Sequence, residues 1–173
     1  LSKQQEAQLQ HKLVERLHRA AAGNNVAAIL RLVEQRVEVN ATIKGIAALH
    51  CAAHGGCADA VAVLVRQGAA IALPDRDGMT ALHYAAHEGH AEAAAELVRA
   101  GAPLNVLDHE GWTPLHDAAF YGNTAAVRVL VNAHADLDLQ DRTGLRPIDL
   151  AERGGQSNSD VVELLGGSST DRL

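Results

Sequence analysis

The sequence predicts an all-α solenoid: helix-turn-helix units stack side by side and are joined by short β-hairpin or loop tips. Two observations carry this. The first is a repeat. Gly45, Gly78, Gly111 and Gly144 follow one another at a step of 33 residues. Other columns keep that step: Leu49, Leu82, Leu115 and Ile148; His50, His83 and His116, with Asp149 in the fourth place; the pairs Ala52-Ala53, Ala85-Ala86 and Ala118-Ala119; and Gly56, Gly89, Gly122 and Gly155. Periods of roughly 20–50 residues mark stacked repeat architectures. The second is composition. The 173 residues are 47% hydrophobic but only 2% aromatic, so the core is built from Ala, Leu and Val. Small side chains let helices approach closely, whereas sheets lean on aromatic and β-branched residues.

The resemblance rests on "DRDGMTALHYAAHEGH" and "DHEGWTPLHDAAFYGN", which are similar to ankyrin repeats, and it covers nearly the whole chain. An ankyrin-repeat domain is expected over 1–166, with full repeats at 42–74, 75–107 and 108–140. Degenerate caps flank them at 1–41 and 141–166, and 167–173 reads as a flexible tail.

In the N-terminal cap, "LHRAAAGNN" aligns with "LHCAAHGGC" at a step of 32. Its first helix is expected to be longer than the others, with Leu9, Leu13, Leu17 and Ala21 on one stripe and Ser2 with Gln5 as a capping box. In the full repeats, Asp75 to Gly78 and Asp108 to Gly111 form turn tips. Thr80 and Thr113 then start the first helices as N-caps, with Pro114 in the first turn. Gly89 and Gly122 punctuate the turn between helices. The second helices carry Val/Leu pairs such as Val129-Leu130 and end at Gly68 and Gly101 as left-handed C-caps. His134 and Arg36 hold that cap position elsewhere, at a cost of about 1 kcal/mol each relative to Gly. In the C-terminal cap "RPIDLAERGG" replaces the usual motif, and "SDVVELL" forms the second helix after one extra residue.

Charge and motifs exclude several function classes. A formal net charge of −6 disfavours general phosphate-backbone binding, so no nucleic-acid partner is expected. No apolar run approaches a membrane span, and "LSKQQEAQLQHK" is too polar for a secretory signal. The missing initial Met is read as the sign of a piece of a longer protein. Cys51 and Cys57 make no disulfide framework, and a reducing, intracellular location is expected. No nucleophile elbow, P-loop or dinucleotide fingerprint occurs, so no catalytic residue and no cofactor are expected. Cys51 and Cys57 read as small helix-face residues.

The ten histidines invite a metal reading through the pairs His50/His54 and His83/His87. "HCAAH" and "HYAAH" lack the Glu of a zincin helix, and a site needs three or four converging ligands, so no metal is expected. A metal-responsive module of His54, Cys57 and His87 is the competing reading. The family resemblance implies that His50, His83 and His116 are structural, bonding backbone at the tips and tying neighbouring repeats together. "LVEQRVEVN" also resembles the sites that asparaginyl hydroxylases modify in ankyrin repeats, with Leu32, Glu38 and Val39 ahead of Asn40. Asn105 matches less well, having Pro103 in place of the acid, and the plainer role for Asn40 is to stabilise a turn. The ending "TDRL", with Asp171 and Leu173, resembles a weak PDZ ligand.

The few rings show where a partner is expected. On the first helix of each repeat, the residue after the motif position shares a face with those three and four further on. These are Asp117, Phe120 and Tyr121 in one repeat, and Tyr84, His87 and Glu88 in the one before it. The family's concave groove is lined by this face and by the tip residues flanking the Gly: Arg76, Asp77 and Met79, then His109, Glu110 and Trp112. Every ring and the single Met fall on these positions. Rings clustered among polar residues have the composition of a binding hot spot. With Asp77, Glu88, Asp108, Glu110 and Asp117 nearby, the groove over repeats three and four (75–107 and 108–140, counting the N-terminal cap as the first) should prefer a protein segment with Arg or Lys beside an apolar anchor. The expected function is protein binding by a monomer. The alternatives are a recruiting arm for a catalytic domain outside this chain, and rings that only shield the packing between repeats.

Overall fold

A computed structural model describes residues 2–154 and 158–170, without the side chains of 167–170. It contains α1 (Lys3–Ala22), α2 (Val26–Glu34), β1 (Thr42–Ile43), β2 (Ile46–Ala47), α3 (Ala48–His54), α4 (Ala58–Arg66), α5 (Ala81–Glu88), α6 (Ala91–Arg99), α7 (Pro114–Phe120), α8 (Thr124–Asn132), α9 (Pro147–Arg153) and α10 (Ser159–Thr170). The first helices of successive units (α1, α3, α5, α7, α9) pack in one layer. The second helices (α2, α4, α6, α8, α10) pack in another. Between the layers lies one continuous core of Ala, Leu and Val, with Leu17, Leu64, Leu82, Leu97, Leu115 and Leu130 fully buried. No single pair buries its apolar face alone, so stacking supplies the stability.

The start of α1 is a reciprocal cap. The Ser2 amide donates to Gln5 Oε1 at 2.9 Å and the Gln5 amide to Ser2 Oγ at 3.3 Å. Leu17 and Ala21 are buried as expected, but Leu9 is 48% exposed. The i, i+4 stripe is correct as helix geometry, yet the first turns of α1 extend past the repeat it stacks on and stay exposed among the described residues.

The tips are built by aspartate. Asp75 Oδ1 accepts from the amides of Asp77 (2.8 Å) and Met79 (2.9 Å), and Asp108 Oδ1 accepts from Glu110 (2.9 Å) and Trp112 (2.8 Å). Gly78 sits at φ 83°, where only glycine is unstrained. A Cβ there would also meet the ring of His109 at 3.0 Å. Successive tips are linked through backbone, from the His109 amide to Asp77 O (2.8 Å) and from the Arg142 amide to Glu110 O (3.3 Å). Among the described residues, regular strand pairing is confined to the first tip, with Thr42 opposite Ala47 and Ile43 opposite Ile46. The later tips, expected as hairpins or loops, are Asp-closed turns, because the carboxylate takes amides that a strand ladder would use.

Helix ends follow the expected asymmetry. Gly68 and Gly101 are left-handed, at φ 89° and 87°, and Arg36 and His134 adopt the same conformation at 60° and 66°. At the far end, α10 continues to Thr170, four residues into the segment expected as a flexible tail. An established helix extends by adding one hydrogen bond per residue, and α10 is already anchored by buried Val161 and Leu165. Gly155 and the "DRL" of the terminal motif, including Asp171 and Leu173, lie outside the described residues.

Candidate functional site

Two hydrogen-bond ladders run between the repeats, one in each direction, and they fix the first-helix layer. In the forward ladder, the Thr80 amide donates to His83 Nδ1 at 3.1 Å and the Thr80 hydroxyl bonds the same nitrogen at 2.9 Å. Nδ1 is therefore an acceptor and the ring proton sits on Nε2, which donates to Trp112 O at 3.1 Å. His116 repeats the pattern with Thr113 and Leu145 O, the latter at 3.1 Å. His50 likewise accepts from the Ala47 amide at 3.0 Å, but its Nε2 bonds Leu73 O at 2.9 Å, within its own repeat. All three rings are buried. Burial pushes the pKa of His50 and His116 down and outweighs their backbone bonds.

The backward ladder comes from the residue just before each second helix. Its side chain donates to carbonyls at the end of the previous first helix. Cys57 Sγ points at Ala22 O (3.3 Å) and His90 Nε2 at His54 O (3.0 Å). Asn123 Nδ2 reaches Ala86 O (2.8 Å) and His87 O (2.7 Å), and Asn158 Nδ2 reaches Ala119 O (3.2 Å) and Phe120 O (3.3 Å). Gly89, at φ 77°, leaves room for this contact, since a Cβ there would lie 2.8 Å from Asn123 Oδ1. Sequence reasoning missed this column because Cys, His and Asn look unrelated. In the three full repeats the shared signal is a hydrogen-bond donor one residue past the turn glycine, whereas Asn158 stands three residues past Gly155.

On this frame the rings form a connected chain. Trp112 lies 5.2 Å from Phe120, centroid to centroid, Phe120 5.0 Å from Tyr121, and Tyr121 4.1 Å from His87. Phe120 and Tyr121 are exposed, at 38% and 49%. Glu88 lies between His87 Nε2 (3.9 Å) and His54 Nδ1 (3.4 Å). Tyr84 sets its ring edgewise to His50 and His54 at 5.6 and 5.9 Å and donates its hydroxyl to Asp75 Oδ2 at 2.7 Å. Desolvation, then this bond, pushes the Tyr84 pKa up. Desolvation also works against the Asp75 carboxylate, but the Tyr84 hydroxyl and the tip amides outweigh it and hold its pKa below the usual range.

The structure redistributes the residues expected to line the groove. Arg76, Asp77, Glu88, His109 and Glu110 are exposed, and Met79, Tyr84, His87 and Trp112 are half-buried. Tyr84 packs against the core, contrary to the expectation that the core takes no ring. Trp112 donates its indole Nε1–H to Asp141 Oδ2 at 3.2 Å, so it also ties two repeats together. Asp117 departs furthest, because it is only 3% exposed. Helical spacing places Asp117 on the face shared with Phe120 and Tyr121, but α5 of the preceding repeat covers it. Its Oδ1 lies 3.2 Å from His87 Nδ1, and its Oδ2 is buried with no hydrogen-bond partner among the described residues.

The residues of the competing metal reading do not come together. Cys57 is buried with its thiol directed at Ala22 O, and His54 pairs with Glu88. Among the described residues, no group of three or more His, Cys, Asp or Glu is placed to hold a metal ion. Asn40 bridges to the next unit, donating to Gly68 O at 3.1 Å and accepting from the Ala70 amide at 2.7 Å. No helix among the described residues is long and apolar enough to cross a membrane.

A family model described as "Ankyrin repeats (3 copies)" matches residues 17–108 and again 95–171. Among curated proteins none matches the chain.

Proposed function

The chain belongs to the ankyrin-repeat family, whose arrays are generally protein-protein interaction modules and typically non-catalytic, and from that premise we propose that it binds a partner protein along its tips and first-helix layer, mainly over the repeats at 75–107 and 108–140. The observation that carries this reading is the exposed pair Phe120 and Tyr121, which continues a ring chain from Trp112 to His87. Exposed aromatics in a polar setting are the usual anchors of an interface. Asp77, Glu88 and Glu110 are exposed around them, so the fitting partner segment carries Arg or Lys next to an apolar side chain. An arginine there stacks on Tyr121 or Trp112, and the acidic rim speeds encounter.

The test is an affinity pull-down with wild type and a Phe120→Ala/Tyr121→Ala variant, read by mass spectrometry, with thermal melts of both. Trp112 is left in place because it also bonds Asp141. A protein retained by wild type and lost by an equally stable variant supports the reading. Unchanged retention rejects it. A variant that melts far lower assigns the rings to packing between repeats.

A further inference from the structure

The outer face of α1 and α2 carries a cavity of about 370 Å³ unlike the rest of this acidic molecule. Arg16, Arg19 and Arg31 line it, together with Asn25 and Gln35, and no carboxylate does. The three guanidiniums are exposed and make no ion pair among the described residues. The arginine ion pairs among the described residues are Arg99 with Glu96 and Arg146 with Asp149. Charge is also unevenly spread along the chain. Residues 1–41 hold six Lys/Arg against four Asp/Glu, whereas 42–173 hold nine against seventeen.

The alignment shows what is unusual here. At the step of 32 residues, Arg16 stands where the next unit has Ala48 and Arg31 where it has Val63. Both of those are buried, as part of the face that receives the preceding pair of helices. A terminal repeat needs a polar outer face for solubility, and that need is met equally well by Glu, Gln or mixed charges. It does not call for three like charges around one hollow, which repel one another at cavity range. Gathering cations without counter-charges is the arrangement that recognises an anion. Guanidinium forks match the tetrahedral oxygens of a phosphoryl group in bidentate fashion. The start of α2, nine residues long and capped by Asn25, borders the same cavity and adds its positive dipole end.

We propose that this cleft binds a phosphoryl dianion, held by Arg16, Arg19 and Arg31 with Asn25 and Gln35 as supporting donors. The site lies on the end of the stack and is independent of the ring chain over 75–140.

The experiment compares melting temperatures of wild type, Arg16→Gln/Arg31→Gln and an Arg128→Gln control, in inorganic phosphate and in sodium chloride of equal ionic strength. Phosphate stabilises most folds by exclusion from their surface, so the reading is the difference between variants. The proposal expects a phosphate-specific rise of several degrees in wild type and the control, lost in the double variant, as ligand linkage requires. Amide shift changes on phosphate titration should cluster within residues 16–35. A parallel titration with a phosphoserine peptide and its unphosphorylated form identifies the source. Tenfold or tighter binding of the phosphopeptide over free phosphate assigns a protein-borne group, and equal binding assigns a small ion. Equal phosphate responses in all three proteins, with no shifts in 16–35, overturn the proposal and leave the arginines as a solubilising cap.

Discussion

His87 and Asp117 belong to successive repeats and share a hydrogen bond, Nδ1 to Oδ1 at 3.2 Å, while the second carboxylate oxygen stays buried with no partner among the described residues. The bond from Asp117 pushes the His87 pKa up, ahead of an opposing desolvation effect. Desolvation pushes the Asp117 carboxyl up, and His87 only partly offsets it. Glu88, His54, His83 and Asp108 are the other titratable side chains facing the pair.

Both members therefore hold protons more tightly folded than unfolded. Stability from the pair is fully present below their ordinary pKa values. It falls as pH rises, first above about 4 for the carboxyl and then above about 6.5 for the imidazole. Asp117→Asn keeps the shape and removes the coupling. Denaturant unfolding of wild type and variant from pH 5 to 8 should give a difference curve that declines with pH. A flat difference curve would show that the pair carries no proton linkage.

His50 and His116 act in the opposite sense. Burial lowers the pKa of His116, so the unfolded chain binds more protons and stability rises with pH up to about 6.5. Protonating Nδ1 removes the acceptor for the Thr113 amide and hydroxyl. His116→Ala should cost about 3 kcal/mol at pH 7.5, because buried donors lose their partner. The penalty should shrink at pH 5, where wild type has already lost part of this stability. A constant penalty at both pH values would count against this account.

Asn123 makes two short bonds to backbone carbonyls of the previous repeat. Asn123→Ala should cost about 2 kcal/mol in urea unfolding, since those half-buried carbonyls lose their donor. Exposed Asn132, on the next helix face, serves as a control, and Asn132→Ala should change stability by less than about 0.5 kcal/mol.

His134 is exposed and sits in a left-handed conformation, at φ 66°. His134→Gly should stabilise by about 1 kcal/mol, by removing Cβ strain at that φ. The gain should appear as a rise in melting temperature. Gly101→Ala at the equivalent position, φ 87°, should lower it.

Much of this architecture is legible in the chain. The step of 33, with 32 into the first unit, placed the tips, the Thr and Pro helix starts and the left-handed C-caps, including the two that lack glycine. It did so because each depends on a few adjacent residues. Helical spacing also brought Phe120 and Tyr121 to one surface. The same spacing misjudged Asp117 and Leu9, because burial depends on what lies opposite. α5 covers Asp117, and no described residue buries the first turns of α1.

What the sequence by itself determined is the periodic frame: turn geometry, caps and the Ala, Leu and Val core. These follow from local backbone preference and from apolar residues recurring at each helix face. Only the tertiary structure decided the relations between repeats. The backward donors Cys57, His90, Asn123 and Asn158 and the His87–Asp117 pair join residues far apart in the chain, and the cleft of Arg16, Arg19 and Arg31 gathers like charges from two helices. A hydrogen bond or a charge cluster is set by distance in space, and that distance exists only once the repeats are stacked.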